Sequence, residues 1–351
     1  MRTLEWDSNN NTLKLIDQRY LPARFEVYTC KNYKDVIYSI KEMVVRGAPA
    51  IGVAAAYGMA MAALDAKSKT VEDFKLEIYK IGDEMMASRP TAVNLMWGVR
   101  HILTLLDVSN SIQGYQQALL NEAHTLPQED VAINKKIYEY GASLIEDGDT
   151  IIHHCNTGSL ATVDWGTALG SIRMAHEQGK RIHVLVDETR PRLQGARLTA
   201  WELQQAGIPY DIISDNMSGH FMRTGQVNKV FFGADRVTAN GDVANKIGSY
   251  MLALAAFTNK VPVYSVFPIS TVDLTLANGD LIPIEERDPQ EVLNIIVDGL
   301  LVTPKGATAR NPSFDVTPNH LITALVTELG VVYPPFDTNL AAYIQKHAGK
   351  N

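Results

Sequence analysis

The stretch Asp149-Thr150-Ile151-Ile152-His153-His154-Cys155-Asn156-Thr157-Gly158 contains an apolar run that stops at a cysteine and continues as a short polar turn. Residues Thr150–His154 have the β-branched, apolar character of a strand buried on both faces, and Leu160–Gln178 is typical of a helix. Cys155–Ser159 is therefore predicted to be the turn at the carboxyl end of a strand, where open α/β sheets bind ligands. The start of the next helix would favour a Cys155 thiolate, although a lone cysteine is more often a small core residue.

Apolar runs recur after this stretch at spacings of about twenty to thirty residues, which are typical of βαβ units. The runs begin near Thr150, Ile182, Tyr210, Lys229 and Val261. We therefore predict the α/β class, with a Rossmann-like, doubly wound parallel sheet in the C-terminal part. No G-x-G-x-x-G motif follows any of these strands, which argues against a nicotinamide or flavin dinucleotide cofactor.

Polar residues follow four of the predicted strands. They are Cys155, Asp187-Glu188-Thr189-Arg190, Asp215-Asn216 and Gly233-Ala234-Asp235-Arg236. Because the carboxyl ends of parallel strands lie at one edge of a sheet, these endings predict a shared polar crevice. An apolar wall beside Asp235 would favour the protonated carboxylic acid that acid catalysis needs, whereas a neighbouring cation would favour the carboxylate.

Two turns in the N-terminal part combine an arginine with a predicted helix start. Arg46-Gly47-Ala48-Pro49-Ala50-Ile51-Gly52 leads into a helix of small residues, and such a turn commonly holds an anion. It is not a P-loop, since Val53-Ala54 stands where Lys and Ser or Thr are required. Arg89-Pro90 begins a second predicted helix, from Thr91 to about Leu106. For each arginine, the alternative is a surface charge or a contact that caps a helix.

Two stretches of the C-terminal part are also candidates for binding a phosphate or sugar hydroxyls. Thr189–Glu202 contains three arginines and Gln194 at the entry to a predicted helix, a composition suited to phosphate or sugar hydroxyls. The alternative for this stretch is a solvated basic face. Asn240–Gly248 is typical of a tight turn followed by a helix start, which would place Asn245 and Lys246 at the positive end of that helix.

The first part of the chain has a mostly helical pattern with a few short strands. Predicted strands are Leu13–Ile16 and Phe25–Thr29, and predicted helices include Asp35–Val45 and Val71–Met86. A break at Leu126-Pro127-Gln128 separates a predicted helix Ser111–His124 from another, Glu129–Ile145. We therefore predict a smaller, mostly helical domain over residues 1–125 and a Rossmann-like domain over residues 126–351.

Composition limits the partners and the compartment. The net charge of −7 argues against nucleic acid and anionic membrane as partners, because both need concentrated positive charge. Cys30 and Cys155 are too few and too far apart to predict a disulfide framework, so a reducing cytoplasm is expected. Met1–Asn11 lacks the pattern of a secretory signal, and the apolar run Ala50–Leu64 is too short to span a membrane.

A metal site is also not predicted. His153, His154 and Cys155 look suitable by residue type, but adjacent strand residues point to opposite faces. Only His153 and Cys155 would then share a ligand. We expect neither a metal ion nor another cofactor.

Six motifs occur in the order seen in methylthioribose-1-phosphate isomerases, and the chain resembles that family over nearly its whole length. The motifs are Arg46-Gly47-Ala48-Pro49-Ala50-Ile51-Gly52, Ser88-Arg89-Pro90-Thr91, His154-Cys155-Asn156, Glu188-Thr189-Arg190-Pro191, Gly233-Ala234-Asp235-Arg236 and Asn245-Lys246-Ile247-Gly248. The same superfamily includes isomerases of ribose 1,5-bisphosphate and of 5-deoxyribose 1-phosphate. It also includes the non-enzymatic regulatory subunits of eukaryotic translation initiation factor two B. A regulatory subunit of this type is therefore the alternative to an enzyme.

The resemblance implies an aldose-ketose isomerase of methionine salvage that acts on 5-methylthioribose 1-phosphate without an added cofactor, as a homodimer. It implies that Cys155 and Asp235 are the catalytic pair. The substrate-binding residues that it implies are Arg46, Gly47, Ala48, Arg89, Gln194, Asn245 and Lys246.

The chemistry of such a substrate explains the need for an acid. A phosphate on O1 locks the sugar as a cyclic acetal, so the ring C–O bond must break before a carbonyl is available. A protonated Asp235 would supply the proton for this step. Hydrogen must then move from C2 to C1, and Cys155 would serve either as the base of a proton route or as a polar stabiliser of a hydride route.

Overall fold

The computed structural model describes residues 1–89 and 93–348, and these form two compact units. Unit 1 comprises Met1–Asn134 and Gly158–Gly166, and unit 2 comprises Lys135–Thr157 and the described chain from Thr167 onward. The long helix Ile112–Ser143 passes from the first unit into the second. The domain limits 1–125 and 126–351 stay a prediction.

Unit 1 contains a small antiparallel sheet and a group of helices. The strands are β1 (Leu4–Asp7), β2 (Thr12–Ile16) and β3 (Val27–Cys30), paired in that order. The helices are α1 (Tyr33–Lys41), α2 (Ala48–Asp65), α3 (Val71–Ala87), α4 (Val93–Thr104) and the long helix α5 (Ile112–Ser143). Side chains of Asn32 and Thr70 cap α1 and α3, because each accepts hydrogen bonds from N–H groups of the first turn.

Helix α2 forms the centre of the core of unit 1. It is long and apolar enough to cross a membrane, but 78% of its apolar window is buried inside the protein. Fourteen of its residues, from Ala50 to Ala63, are buried. The small side chains predicted from the sequence therefore make this a core helix that other elements can approach closely.

Helix α5 corrects the prediction of a break at Leu126-Pro127-Gln128. The structure has one continuous helix with Pro127 inside it. A proline in a helix interior costs about 3 kcal/mol, since it removes one backbone hydrogen bond and clashes with the preceding turn. Leu119, Ala123 and Leu126 are buried in the core of unit 1, and this packing offsets the local cost.

Unit 2 is built on a seven-stranded sheet with the order β16-β15-β10-β7-β4-β5-β6. All neighbouring pairs are parallel except β15 and β16, so the predicted Rossmann-like sheet is confirmed. Its strands are β4 (Thr150–His153), β5 (His183–Asp187), β6 (Tyr210–Ile213), β7 (Lys229–Phe232), β10 (Val263–Val266), β15 (Ala324–Thr327) and β16 (Gly330–Val332). The strands β4, β5, β6, β7 and β10 match the five predicted apolar runs. The strands β15 and β16 lie outside the predicted apolar runs.

Further strands and helices surround this sheet. A second sheet, in the order β11-β8-β9-β14, contains β8 (Arg236–Thr238), β9 (Val243–Lys246), β11 (Val272–Asp273) and β14 (Phe314–Thr317). A hairpin pairs β12 (Ile296–Val297) with β13 (Leu300–Leu301). The helices are α6 (Ala168–Glu177), α7 (Ala200–Ala206), α8 (Ser218–Arg223), α9 (Ser249–Thr258), α10 (Gln290–Leu293) and α11 (Phe336–Ala348).

Candidate active site

Cys155 and Asp235 follow neighbouring parallel strands of the large sheet. In the register of the β4–β7 pair, His153 lies opposite Phe231, so both chains leave the sheet at the same edge. Cys155 is the second residue after β4, and Asp235 is the third residue after β7. The structure therefore brings this predicted pair to one edge of one sheet.

Gly233, in the turn after β7, lies close to the turn after β4 and to strand β9. A Cβ atom at Gly233 would lie 2.8 Å from Cγ2 of Thr157 and 3.9 Å from Oδ1 of Asn245. The N–H group of Asp235 donates to the carbonyl oxygen of Ala244 at 2.9 Å, which ties the turn after β7 to β9. The turns that contain Cys155 and Asp235 are thus adjacent to the end of strand β9, which contains Asn245.

The two members of the pair differ in exposure. Cys155 is half-buried, whereas the side chain of Asp235 is exposed rather than enclosed by an apolar wall. The residues of β7, which precede Asp235, are buried, and the side chains of Val230 and Phe232 pack in the core of unit 2. A ligand therefore has access to the Asp235 carboxyl from solvent.

The predicted helix Leu160–Gln178 is wrong at its start. A single 3₁₀ turn covers Ser159–Ala161, and α6 begins only at Ala168. Leu160 and Val163 are buried, and the segment 158–166 packs as part of unit 1. Because of this segment, more than ten residues separate Cys155 from the start of α6. The N-terminus of that helix therefore gives no reason to expect a Cys155 thiolate.

The backbone of Cys155 has the left-handed conformation, with φ of 66°. Its N–H group donates to Oγ1 of Thr189 at 2.9 Å, and its carbonyl oxygen accepts from Oγ1 of Thr199 at 2.6 Å. Both threonines are completely buried. Neither threonine is predicted from the sequence as a site residue, although Thr189 lies in one of the polar strand endings.

His154 is buried between two acceptors. Its Nδ1 lies 2.9 Å from Oδ2 of Asp187, and its Nε2 lies 3.0 Å from the carbonyl oxygen of Ile247. Only the doubly protonated ring can donate to both. Burial alone would lower the pKa of His154, but the hydrogen bond to Asp187 and the charges of Asp187 and Asp215 outweigh it and raise the pKa.

The ligand atoms of His154, Asp187 and Asp215 lie within 4.8 Å of one another, a spacing compatible with a metal ion. Hydrogen bonds within the protein already occupy these atoms. His154 donates to Asp187 and Ile247, Asp187 also accepts from Ser218, and Asp215 accepts from the N–H groups of Thr189 and Arg190. We interpret this group as a buried hydrogen-bond network that joins β4, β5 and the segment after β9. The expectation of no metal cofactor stays a prediction.

The neighbouring residue His153 is also buried, but its pKa shifts in the opposite direction from that of His154. Burial lowers the pKa of His153 to about 4, so the ring is neutral at pH 7. Its Nδ1 lies 2.8 Å from the carbonyl oxygen of Phe231, and its Nε2 lies 3.2 Å from Oγ1 of Thr157. A ring that donates through Nδ1 and accepts from the Thr157 hydroxyl satisfies both contacts. His153 therefore joins β4 to β7 below the turn.

Asn245 and Lys246 lie at the end of strand β9 and not in a helix start, which corrects the prediction for Asn240–Gly248. Helix α9 begins three residues later, at Ser249, and its hydroxyl accepts from Nδ2 of Asn245 at 2.8 Å. The ammonium group of Lys246 donates to the carbonyl oxygen of Ser313 at 2.8 Å and lies 4.2 Å from the centre of the Phe314 ring. The β9–β14 pairing brings Ser313 and Phe314 to this position.

The stretch Thr189–Glu202 forms a turn, a five-residue π-helix (Gly195–Thr199) and α7. Gln194 is buried immediately before the π-helix. Arg190 donates to the carbonyl oxygen of Val292 at 3.0 Å, and Arg192 donates to Glu291 at 2.6 Å. Two of the three arginines that predicted phosphate binding therefore attach α10 to this stretch.

The remaining predicted residues lie in unit 1. Gly47 is the N-cap of α2 with φ of 84°, and Ala48 is the first residue of that helix, so the positive helix end lies at this turn as predicted. Arg46 and Arg89 are half-buried, and Arg89 lies directly after the C-cap of α3. Pro90 and Thr91 lie outside the described residues.

Proteins of similar sequence and fold carry two kinds of name. A sequence model of the initiation factor 2 subunit family matches residues 44–334. A methylthioribose-1-phosphate isomerase of Acetivibrio thermocellus is 49% identical, over 98% of this chain and 100% of that protein. The crystal structure of 5-methylthioribose 1-phosphate isomerase from Pyrococcus horikoshii has a TM-score of 0.91 and 41% identity, over 98% of this chain and 96% of that one. The crystal structure of translation initiation factor eIF-2B, subunit delta, from A. fulgidus has a TM-score of 0.87 and 42% identity, over 98% and 99%.

Proposed function

The chain belongs to the initiation factor 2 subunit family, and we propose that it converts 5-methylthioribose 1-phosphate to 5-methylthioribulose 1-phosphate, a step of methionine salvage. The observation that carries this proposal is the placement of Cys155 and Asp235 after two adjacent parallel strands. An acid and a second polar group at one sheet edge are what an aldose-ketose isomerisation requires.

In the proposed reaction, Asp235 protonates the ring oxygen of the bound sugar, and the C–O bond to C1 breaks. The exposed carboxyl is accessible to the sugar, and the bound sugar would exclude water from it. Hydrogen then moves from C2 to C1, and the hydroxyl proton on O2 passes to the Asp235 carboxylate. This leaves a ketone at C2 and restores the acid. The oxidation of C2 balances the reduction of C1, so no external electron acceptor is needed.

Cys155 has two possible roles that correspond to two routes. In a proton route, its thiolate removes the proton from C2 and returns it to C1 through an enol that keeps the phosphate on O1. In a hydride route, it stabilises the charge that develops while hydrogen passes directly between the two carbons. Loss of a deuterium label from C2 to solvent during turnover would indicate the proton route.

For substrate binding, the family resemblance supports seven residues, which are Arg46, Gly47, Ala48, Arg89, Gln194, Asn245 and Lys246. Lys246 is fixed by Ser313 and Phe314, so its ammonium group offers a charge at a defined position. The N-terminus of α2 supplies N–H groups of the kind that hold a phosphate. Neutralisation of Lys246 or Arg46 would raise KM more than it lowers kcat if the residue holds the phosphate in the ground state.

Substrate choice is the experiment that tests the proposed function. Values of kcat/KM for 5-methylthioribose 1-phosphate, 5-deoxyribose 1-phosphate and ribose 1,5-bisphosphate should be measured under one condition. A second phosphate at C5 would lack partners in an apolar pocket, which costs several kcal/mol, whereas loss of the thiomethyl group costs only about 1 to 3 kcal/mol. The methylthio sugar should be the best substrate and the bisphosphate the poorest. A preference for the bisphosphate, or no ketose from any of the sugars, would contradict the proposal.

We further propose a homodimer in the cytoplasm. One face of α9 exposes Tyr250, Met251, Leu254 and Phe257, and an apolar stripe of this kind on a globular protein commonly marks an interface. Closed two-fold pairing is the commonest oligomeric arrangement. Light scattering at micromolar concentration should give twice the monomer mass of 38.7 kDa, and Phe257→Glu should shift it toward the monomer. A parent protein that is monomeric would contradict this assignment.

A further inference from the structure

We propose that Thr189 and Thr199 are positioning residues that hold the Cys155 peptide in one conformation and thereby aim its thiol. The expected effect on kcat rests on the proposed function. The expected effect on Cys155 alkylation is measured without substrate and does not depend on that function. Neither threonine needs to touch the sugar. Their role would be to keep a half-buried cysteine in a backbone conformation that its own side chain disfavours.

The conformation of Cys155 is the first observation. Its φ of 66° lies in the left-handed region, where residues with a Cβ atom other than Asn and Asp are uncommon. Strained conformations of this kind persist only where the surrounding structure determines them, and they cluster at functional sites. Something other than local preference must therefore hold the peptide.

Thr189 holds the N–H side of Cys155. Its Oγ1 accepts the Cys155 N–H at 2.9 Å and donates to the carbonyl oxygen of Asp187 at 3.0 Å, so the hydroxyl is fully oriented. Thr189 itself has φ of 61°, which is rarer still for a β-branched residue. The carboxylate of Asp215 accepts the N–H groups of Thr189 and Arg190 at 2.7 and 2.8 Å, and this pins the strained turn in place.

Thr199 holds the carbonyl side of Cys155. Its Oγ1 donates to the Cys155 carbonyl oxygen at 2.6 Å and accepts from Nδ2 of Asn156 at 3.2 Å. Glu202 accepts from the same Asn156 amide at 2.9 Å, so the residue after the cysteine is anchored as well. The polar contacts therefore continue from Cys155 into the next residue of the turn.

The π-helix brings Thr199 to this position. At Gly195, the first residue of the π-helix, a Cβ atom would lie 1.7 Å from the carbonyl oxygen of Asp187. Only glycine permits the π-helix to pack this closely against the end of β5. Isolated π-helical turns are frequent at functional sites, and here the turn delivers a buried hydroxyl to the backbone of the proposed catalytic residue.

Together the two hydroxyls bind both polar backbone groups of Cys155. The peptide cannot rotate without breaking a buried hydrogen bond, and rotation is what would redirect the Cα–Cβ bond. Because small misplacements of a reacting group can cost about a hundredfold in rate, this fixation bears on turnover more than on substrate affinity.

Thr199→Val tests the proposal because it removes the hydroxyl while keeping the shape. Its kcat should fall by about ten- to a hundredfold with KM within about twofold of the parent, and Thr199→Ser should restore kcat to within about threefold. The rate of Cys155 alkylation by iodoacetamide, followed by mass spectrometry without substrate, should change by at least about threefold in Thr199→Val and return in Thr199→Ser. The buried Cys30 serves as the internal reference.

Thr327→Val is the matched control, because Thr327 is also completely buried and its hydroxyl also bonds to backbone, at Leu329 and Gly330. It should lose comparable stability without changes in kcat or in Cys155 alkylation. Thr189→Gly removes the other hydroxyl at a positive φ that glycine tolerates, and it should repeat the effects of Thr199→Val.

Unchanged kcat and unchanged alkylation in folded Thr199→Val and Thr189→Gly would overturn the proposal. Failure of both variants to fold, with Thr327→Val folded, would assign the threonines a structural role and would overturn it too. If the parent makes no ketose, the proposed function fails, but the alkylation ratios still decide whether the threonines position Cys155.

Discussion

The turn after β4 and the turn after β7 leave adjacent strands at the same edge of the sheet, yet they are held in different ways. Buried hydroxyls bind both backbone polar groups of Cys155. At Asp235, the N–H bond to Ala244 ties the backbone to β9, and the side chain is exposed. Buried protein groups thus hold the peptide that carries the thiol, whereas the carboxyl faces solvent and a bound substrate can reach it.

The largest expected effect comes from removing the reactive group of either turn. Cys155→Ser and Asp235→Asn should each lower kcat by about a hundred- to ten-thousand-fold, since general acid-base steps are commonly worth that much. Affinity for the product, measured by calorimetry, should change by less than about threefold, because both substitutions preserve shape. A variant whose kcat stays within about threefold of the parent would remove that residue from the mechanism.

The buried histidine beneath the first turn gives the next largest effect. His154→Gln should lower the free energy of unfolding by about 3 kcal/mol near pH 6, because it leaves Asp187 buried without its cation. The pKa of His154 is raised in the folded protein, so its ion pair with Asp187 contributes fully to stability below pH 6.5, the pKa in the unfolded chain. This contribution is lost as the pH rises through the pKa of the folded protein. The difference between parent and variant, from urea unfolding at several pH values, should therefore shrink as the pH rises above 6.5 and through that raised pKa.

His153→Gln is the matched control for that pH dependence. Burial lowers the pKa of His153 to about 4, so the unfolded chain binds more protons than the folded one between pH 4 and 6.5. The contribution of His153 to stability should rise with pH over this window and be constant above it. Parallel pH profiles for the two variants would contradict the opposite charge states assigned to the two rings.

The smallest effect concerns the point where the two turns meet. Gly233→Ala places a Cβ atom 2.8 Å from the Thr157 side chain, which must shift. We expect kcat to fall by about tenfold, because the displaced turn bears the thiol. Gly219→Ala is the control, since its Cβ would meet only Ala255 at 3.8 Å, and its kcat should match the parent. Equal kcat in both variants would show that the turns tolerate independent movement.

The sequence predicted the large sheet because its strands are apolar runs at βαβ spacing. It predicted the edge that holds Cys155 and Asp235 because polar residues follow those runs. The small sheet with β8 and β9 was missed, since strands of three or four residues carry little periodic signal and are defined by pairing with β14.

Other errors arose where tertiary packing outweighs local preference. Pro127 signals a helix break locally, but the buried residues around it keep α5 continuous. The apolar pattern that begins at Leu160 is typical of a helix start, but Leu160 and Val163 are buried in a segment that packs in unit 1. The hydroxyls of Thr189 and Thr199 reach Cys155 only through two strained turns and a π-helix, which no sequence period reveals.

The most direct test of the central claim is a carbon-13 spectrum. The purified full chain is incubated with 5-methylthioribose 1-phosphate labelled at C2, alongside Cys155→Ser. We expect the C2 resonance to move to the ketone region with the parent protein and to stay at the alcohol position over the same time with the variant. An unchanged C2 resonance with the parent would contradict the assignment as an isomerase, and conversion by Cys155→Ser at the parent rate would contradict the assigned site.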